Sequence, residues 1–360
     1  MTADRSDDDY LRTVALMGTV VTIRVVGAVD PQQARARQEA VERAFGWFQR
    51  LEECCTRFDP RSELMQLTTR IGVSVPASAM LFEAVQFAVA VAEESGGAFD
   101  PTVGYSMEAR GFNREYRTGR IVRTPLESAG AVSYRDVRLD PHRKTITLLR
   151  PLILDLGAVA KGLAIDMAAR ELQTFKDFVI DAGGDLYLSG CSPDGTPWSV
   201  GIRHPRLENQ LIDVLRVSNE AVCTSGDYER RSSGEDGGHH IIDPRTGAPA
   251  HAVASATVVA PTAMMADALA TAAFVLGPAD GIRLLDRQGV RGLIVSPTLE
   301  RHATRGLRSD YNLADGPTTG AGGGSTVSPN AEGASHHRPG DSDRRGRPGR
   351  GHTPGCARPG

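Results

Sequence analysis

Residues 152–166 have the sequence LILDLGAVAKGLAID, in which an apolar run is followed by Asp155, Gly157 and Lys161. This order is typical of a strand that turns into a helix. The first turn of such a helix presents backbone N–H groups to an anion, and a lysine one turn later adds positive charge. The stretch therefore suggests phosphate recognition. An N-capping aspartate followed by a surface lysine is the alternative that it leaves open, and the Walker A pattern G-x-x-x-x-G-K-[ST] is absent.

Helix and strand patterns alternate on both sides of this stretch without an internal repeat. Asp30 and Pro31 supply a capping residue and a favoured first residue for the first helix. The predicted helices cover 31–55, 77–94, 157–173, 261–276 and 279–287, and the predicted strands cover 13–26, 137–139, 145–149, 178–180, 186–188, 199–202, 211–217, 254–259 and 292–296. Because these elements follow no regular βαβ rhythm, we expect an α+β fold with mixed or antiparallel sheets and packed helices.

The overall composition argues against several classes of protein. The 360 residues include 41 basic and 44 acidic side chains, a formal charge of −3, so net charge gives no reason to expect a nucleic-acid partner. No run approaches about 18 consecutive apolar residues, so no membrane insertion is expected. The acidic amino terminus lacks the features of a secretory signal, and we therefore expect a cytoplasmic protein. Five cysteines without C-x-x-C spacing indicate neither a disulfide framework nor a zinc site.

Composition also divides the chain into three parts. Residues 1–12 are predicted to be a flexible amino terminus, and residues 13–313 are predicted to form one domain. Residues 314–360 are rich in glycine, proline and arginine and have almost no large apolar side chains. Such a segment cannot offset its ordering entropy by burial, so we expect a disordered tail.

Two segments after the opening stretch carry polar residues that allow either a functional or a structural interpretation. Residues 181–185, DAGGD, contain glycines that let a backbone approach a ligand closely, although an ordinary turn is the favoured interpretation. Residues 239–247, HHIIDPRTG, place two histidines before an Asp-Pro turn. Histidine exchanges protons near neutrality, and His240, nearer the turn, is the better candidate. A packed, hydrogen-bonded histidine is the alternative.

A helix predicted to begin at Pro261 carries Asp267 and Thr271, which are four residues apart and therefore share one face. The rest of this helix is small or apolar. An ionised carboxylate in such surroundings is costly unless a cation accompanies it. Carboxylate, hydroxyl and carbonyl oxygens suit a hard ion such as Mg²⁺. A threonine that hydrogen-bonds within its own helix is the alternative.

Eight motifs together resemble the FAD:protein FMN transferases, the ApbE family. They occur in the family's order over residues 13–297, which makes the resemblance specific. The motifs are MGT (17–19), RFDPRSEL (57–64), GAFDPTVG (97–104), LDLGAVAKGLAID (154–166), DAGGD (181–185), TSGDYER (224–230), HIIDPRTG (240–247) and ADALATAAFVLG (266–277).

The resemblance implies a reaction and a set of site residues. Members of the family bind FAD and Mg²⁺, cleave the pyrophosphate, attach FMN through a phosphoester to a threonine or serine of an acceptor protein, and release AMP. By position in the motifs, the metal would be held by the carbonyl of Ala158 and the side chains of Asp267 and Thr271. His240 would accept the proton of the attacking hydroxyl, and Asp267 would serve catalysis through the metal. The implied FAD contacts are Met17, Phe58, Ala98, Phe99, Asp100, Asp155, Lys161, Ser225 and Ile241.

This sequence departs from the family's pattern at two places. Phe58 stands where the family often has a tyrosine, so it keeps an aromatic stacking face and lacks the hydroxyl. Residues 105–130 lack the tryptophan-containing pattern that is common in the family. Two other functions use the same site: a Mg²⁺-dependent FAD pyrophosphatase, in which water replaces the acceptor hydroxyl, and a flavin-binding protein without turnover.

Overall fold

The computed structural model of the chain describes residues 9–27, 30–126, 130–229, 238–310 and 326–327. All of these residues belong to one compact unit. The strands are β1 (Tyr10–Leu16), β2 (Thr19–Val25), β3 (Val75–Pro76), β4 (Val137–Asp140), β5 (Thr145–Leu148), β6 (Phe178–Ala182), β7 (Asp185–Ser189), β8 (Trp198–Arg203), β9 (Leu211–Val217), β10 (Glu220–Gly226), β11 (Ile242–Asp243), β12 (Ala248–Pro249), β13 (Ser255–Ala260), β14 (Arg291–Val295), β15 (Arg301–Ala303) and β16 (Thr326–Val327). The helices are α1 (Pro31–Cys55), α2 (Glu63–Thr68), α3 (Ala79–Glu94), α4 (Gly104–Ala109), α5 (Gly157–Glu171), α6 (Ala263–Arg287) and α7 (Arg305–Asp310).

An eight-stranded sheet with the order β1-β2-β6-β7-β10-β13-β14-β15 forms the centre of the fold. Every pair of neighbouring strands in it is antiparallel. Strands β3, β5 and β4 form a separate three-stranded sheet, in that order. Helices and antiparallel sheets in one unit confirm the predicted α+β class.

The two faces of the central sheet are covered by different layers. Side chains alternate between faces along a strand, so Ile180 of β6 packs in the core shared with α1, α5 and α6, whereas Val179 packs in a second core. The second core contains Trp198 and Val200 of β8 and Leu215 of β9. Helices α1, α5 and α6 therefore cover one face, and the β8–β9 hairpin, together with Leu307 of α7, covers the other.

The first helix illustrates how the sequence pattern produces the helical layer. Asp30 accepts a hydrogen bond from the backbone N–H of Gln33 at 2.8 Å, and Pro31 takes the first helical position, as predicted. Val41, Phe45 and Phe48 recur at three- and four-residue spacing and are all buried. Apolar burial on one stripe therefore fixes α1 on the sheet.

Helix α6 has the length and the apolar composition of a membrane span. Most of its residues are buried inside the fold, Phe274 and Leu284 completely. It therefore serves as a core helix that packs against α5 and the central sheet. Gly277, with a φ of 82°, interrupts it before Pro278, which is why the sequence predicts two helices where the structure has one kinked element.

Two predictions about the elements are wrong, and strand β10 was missed. The run 13–26 is a hairpin of two strands, because Met17 and Gly18 both take positive φ and reverse the chain between them. The apolar run 152–154 forms no strand and makes a single bridge from Ile153 to Val103. Strand β10 was not predicted, because its residues 224–226 were assigned only to a polar motif.

The predicted ends of the chain fall largely outside the described residues. Residues 1–8 and most of the predicted tail, 314–360, are not described, and Cys356 lies among them. The two described residues of the tail, Thr326–Val327, pair in parallel with Ser199 and Val200 of β8. The four described cysteines are free.

Candidate active site

The start of α5 is organised around the carboxylate of Asp155. One oxygen, Oδ1, accepts the backbone N–H of Gly157 at 2.8 Å, and the other, Oδ2, accepts Nε–H of Arg57 at 2.6 Å. Arg57 is buried and also donates to the carbonyl of Phe112. Asp155 therefore satisfies the N–H of the first residue of α5 from a position just before the N-cap, Leu156, and also links the helix to the RFDPRSEL segment. Sequence reasoning did not select Arg57 as a site residue.

Lys161, one turn into α5, lies between two buried carboxylates from other elements. Its Nζ forms an ion pair with Asp185 at the start of β7, and a second with Oδ2 of Asp267 on α6 at 3.2 Å. Asp185 and Asp267 are 5% and 7% exposed, so both charges are largely removed from water. The interpretation of Lys161 as a surface lysine is wrong. The DAGGD motif, for which a simple turn was favoured, supplies a charged residue to the cluster.

The DAGGD turn owes its position to a close approach that only glycine permits. Gly183 has a φ of 68°, and a Cβ added there would lie 2.0 Å from Oγ1 of Thr19. Its backbone N–H donates to the carbonyl of Val20 at 3.0 Å. The turn therefore packs on the start of β2, two to three residues after Met17, and Asp185 follows directly after it.

Hydroxyl groups extend the cluster along α6. Thr271 lies one helical turn beyond Asp267, and its Oγ1 is 3.1 Å from Oγ of Ser225 on β10. Ala158 in the first turn of α5 has a φ of −91° and a ψ of 15°, outside the helical region. The helix is therefore irregular at the residue whose carbonyl the resemblance implies as a metal ligand.

The charges of this cluster are unbalanced. Asp181, which accepts the N–H of Gly184 at 2.8 Å, faces the same lysine. Burial raises the pKa of Asp181 to about 6, against the opposing effect of Lys161. One ammonium group therefore stands among three carboxylates, those of Asp181, Asp185 and Asp267. No group of three His, Cys, Asp or Glu side chains suited to a metal occurs among the described residues.

This arrangement fits a divalent cation that takes part of its ligands from water or from substrate phosphates. Mg²⁺ is usually held by one or two carboxylates together with water and substrate phosphates, and not by an all-protein cage. Asp267 and Thr271 lie one turn apart on α6, and with the carbonyl of Ala158 they are the oxygen donors that the resemblance implies. Excess negative charge around Lys161 favours a cation of charge +2 at the same place.

A second group of predicted residues forms an aromatic side of the site. The guanidinium of Arg57 lies 4.4 Å from the ring centre of Phe58, and the ring of Phe112 meets that of His240 edge to face at 6.4 Å. Arg120 donates to the carbonyl of Phe58 at 3.1 Å. Because Arg57 also holds Asp155, the aromatic side is tied to the start of α5.

The two histidines of the HHIIDPRTG segment have different surroundings. His239 is buried; its Nε2 is 2.7 Å from the carbonyl oxygen of Ala250, and its Nδ1 accepts the N–H of Ile241 at 3.2 Å. Its ring packs on Phe274. His240 is half-buried and lies against Phe112. The packed-histidine alternative therefore describes His239, and the role of the less buried His240 in proton exchange stays a prediction.

Four other residues that were predicted to contact FAD are buried in the fold. Asp100 is buried; its Oδ1 accepts the N–H and hydroxyl of Thr102, and its Oδ2 accepts the N–H of Tyr134. Burial raises the pKa of Asp100. Ala98, Phe99 and Ile241 are buried as well. The side chain of Asp100 thus stabilises the turn at Thr102 and connects it to Tyr134. The contacts of these four residues with FAD stay predictions.

Solved structures and known sequences resemble this arrangement. The crystal structure of the ApbE protein from Thermotoga maritima superimposes with a TM-score of 0.73 and 30% identity, over 84% of this chain and 99% of that chain. The α+β fold is therefore that of the ApbE structures. A family model described as the ApbE family matches residues 17–294, and this chain belongs to that family.

Two relatives in this family have names that state an activity. A protein of Treponema pallidum named FAD:protein FMN transferase is 33% identical over 336 residues, covering 85% of this chain and 90% of the relative. A protein of Haemophilus influenzae with the same name is 31% identical over 264 residues, covering 69% of this chain and 74% of the relative. The eight motifs quoted above thus identified the family correctly.

Proposed function

We propose that this chain is an FAD:protein FMN transferase. It binds FAD, breaks the bond between the two phosphates, joins FMN to a threonine or serine hydroxyl of an acceptor protein, and releases AMP. The observation that carries the proposal is the convergence of Lys161, Asp185 and Asp267 at the start of α5, beside the paired hydroxyls of Ser225 and Thr271. Membership of the ApbE family and the names of its relatives support it.

Mg²⁺ is the metal that the donor set fits. The carboxylate of Asp267, the hydroxyl of Thr271 and the carbonyl of Ala158 would hold it. Bound there, it would neutralise charge on the pyrophosphate and assist the departure of AMP. Lys161 adds a donor to the same phosphates from one turn into α5, and the N–H groups at the start of this helix also favour an anion.

The aromatic side of the site accounts for the flavin and the acceptor hydroxyl. Phe58 and Phe112 offer ring faces for stacking, and Arg57 holds both segments in place. His240, against Phe112, accepts the proton of the attacking hydroxyl. A general base of this kind contributes on the order of 10²- to 10⁴-fold in rate.

The first prediction separates transfer from hydrolysis and from simple flavin binding. Incubation with FAD, Mg²⁺ and co-expressed products of neighbouring genes should yield a protein whose threonine carries the mass of FMN, detected by mass spectrometry. Asp267→Asn should abolish AMP release, and His240→Ala should lower it at least about 100-fold. Asp280→Asn on the exposed face of α6 and His302→Ala serve as matched controls that leave both products unchanged.

The other outcomes identify the competing functions. Free FMN and AMP with every acceptor tested would indicate a pyrophosphatase. FAD binding without any AMP would indicate a flavin-binding protein and contradict the proposal.

A further inference from the structure

The first turn of α6 is held by a side chain from a different helix. Asp166 of α5 accepts the backbone N–H of Ala263 on Oδ1 at 2.7 Å and that of Met264 on Oδ2 at 3.0 Å. Thr262 accepts the N–H of Met265 on its own Oγ1 at 3.3 Å. The N–H groups that begin a helix have no partner within it. Here, two of them are satisfied by one carboxylate located almost a hundred residues earlier in the chain.

The backbones of the two helices also meet at this point. A Cβ added at Gly162 would lie 2.5 Å from Cα of Met264 and 2.6 Å from the carbonyl oxygen of Ala263. Gly162 and Asp166 are four residues apart and therefore lie on the same face of α5. One face of α5 thus allows the close approach and also supplies the acceptors for the end of the helix that approaches it.

This contact lies between the two halves of the candidate site. Lys161 directly precedes Gly162 on α5, and Asp267 lies one turn beyond Ala263 on α6. The distance of 3.2 Å between Lys161 Nζ and Asp267 Oδ2 depends on how the two helices are aligned. Asp166 itself does not bond to either of these side chains among the described residues.

We propose that Asp166 is a positioning residue, whose carboxylate aligns the start of α6 on α5 and thereby places Asp267 and Thr271 opposite Lys161. The assignment rests on the proposed function only in that these groups bind the metal and the phosphates. A single carboxylate has two oxygens at a fixed separation, so it ties two successive N–H groups and sets both the height and the rotation of α6. An amide offers one acceptor oxygen and ties only one of them.

A role in alignment is distinct from a role in stability, and the surroundings of Asp166 favour alignment. Burial raises the pKa of Asp166 to about 6, although both N–H bonds act in the opposite direction. Its surroundings therefore disfavour the charged form that provides the two acceptors. Replacement by a neutral side chain of the same shape should remove the free-energy cost of burying the charge. The same replacement should loosen the alignment of α6 on α5.

The test compares Asp166→Asn with Thr262→Ala, which removes the neighbouring cap bond on the same helix end. Three quantities are measured on the full chain: the midpoint of urea unfolding, the affinity for Mn²⁺ used as the metal probe, and hydrogen exchange at the amides of Ala263 and Met264. Asp166→Asn should unfold at the same or a higher urea concentration, bind Mn²⁺ about 10- to 100-fold more weakly, and exchange faster at one or both amides. Thr262→Ala should unfold at lower urea and keep the Mn²⁺ affinity.

Each contrary result overturns the assignment. Unchanged Mn²⁺ affinity in Asp166→Asn, together with lower stability, would make Asp166 an ordinary cap, and failure of this variant to fold would do the same. Unchanged hydrogen exchange would show that the contact is not the one described. If the parent chain bound no Mn²⁺, the proposed metal site would fail, and the exchange data would still report on the alignment of α6.

Discussion

At the scale of single residues, the site is defined by one lysine that has more carboxylate neighbours than it can neutralise. Lys161 is paired with Asp185 and Asp267 and faces Asp181. A buried ion pair contributes little net stability when it is complete, but removal of one partner leaves an uncompensated charge. The lysine therefore holds the site together in the absence of a metal, and the spare negative charge is what would attract one.

The residue-scale prediction follows from this imbalance. Lys161→Met should lower the free energy of unfolding by roughly 3 kcal/mol, because the carboxylates of Asp185 and Asp267 lose their cation. Added Mg²⁺ should restore more stability to this variant than to the parent chain, since a ligand stabilises the state that binds it. Urea unfolding with and without Mg²⁺ measures both effects. Lys176→Met, at an exposed position, is the control that should change neither.

At the scale of secondary-structure elements, α5 and α6 act as a pair. Gly162 brings their backbones into contact, and Asp166 completes the first turn of α6. In the motif LDLGAVAKGLAID, Asp155 and Lys161 thus concern the ligand, whereas Gly162 and Asp166 concern the position of α6. A motif of thirteen residues joins two physical tasks because Lys161 and Asp166 lie on one helix, five residues apart.

The element-scale prediction concerns pH. The pKa of Asp166 is about 6 in the folded chain, above the ordinary value of 3.8. The folded state therefore binds the proton more tightly, so the contribution of Asp166 to stability is full below about pH 4 and is lost as the pH rises through 6. Arg170 favours its charged form, Glu83 opposes it, and Tyr187 and Cys223 also face the carboxyl group.

The measurement is urea unfolding of the parent chain and of Asp166→Asn between pH 4 and pH 7. The stability of the variant relative to the parent should rise by on the order of 3 kcal/mol over this window, at 1.36 kcal/mol per unit of pKa. Asp181, whose pKa is also about 6, titrates in both proteins and cancels in the difference. A difference that stays constant with pH would contradict the prediction.

At the scale of the whole molecule, the central sheet separates two layers with different tasks. The helical layer supplies α5 and α6 to the candidate site, and the β8–β9 hairpin seals the opposite face around Trp198. Strand β16 adds to that hairpin through Thr326–Val327. The part of the predicted tail that the structure describes is therefore attached to the face away from α5 and α6.

The prediction at this scale is that truncation of the chain after residue 313 leaves flavin transfer unchanged. The truncated chain loses the short β16 pairing, so its thermal midpoint should fall by no more than a few degrees. Truncation after residue 329, which keeps β16, is the matched control and should unfold like the full chain. Loss of transfer in the shorter protein would assign the tail a function in the reaction. The cytoplasmic location stays a prediction.

The sequence by itself determined the family, the α+β class and most helices. Motif identity and apolar periodicity are local properties, so α1 and its cap at Asp30 follow from neighbouring residues alone. The same local information predicted Lys161, Asp267, Thr271 and His240 as candidates.

Only the tertiary structure decided which residues meet. Asp185, Arg57 and Asp166 act on partners 24, 98 and 97 residues distant in sequence, and no local pattern encodes such pairs. The hairpin at Met17 was missed for a related reason: its left-handed turn is formed by a residue that rarely adopts it, and pairing with β6 and the rest of the sheet holds it there. Local propensity specifies elements, whereas burial of charge and close approach of backbones specify how the elements form a site.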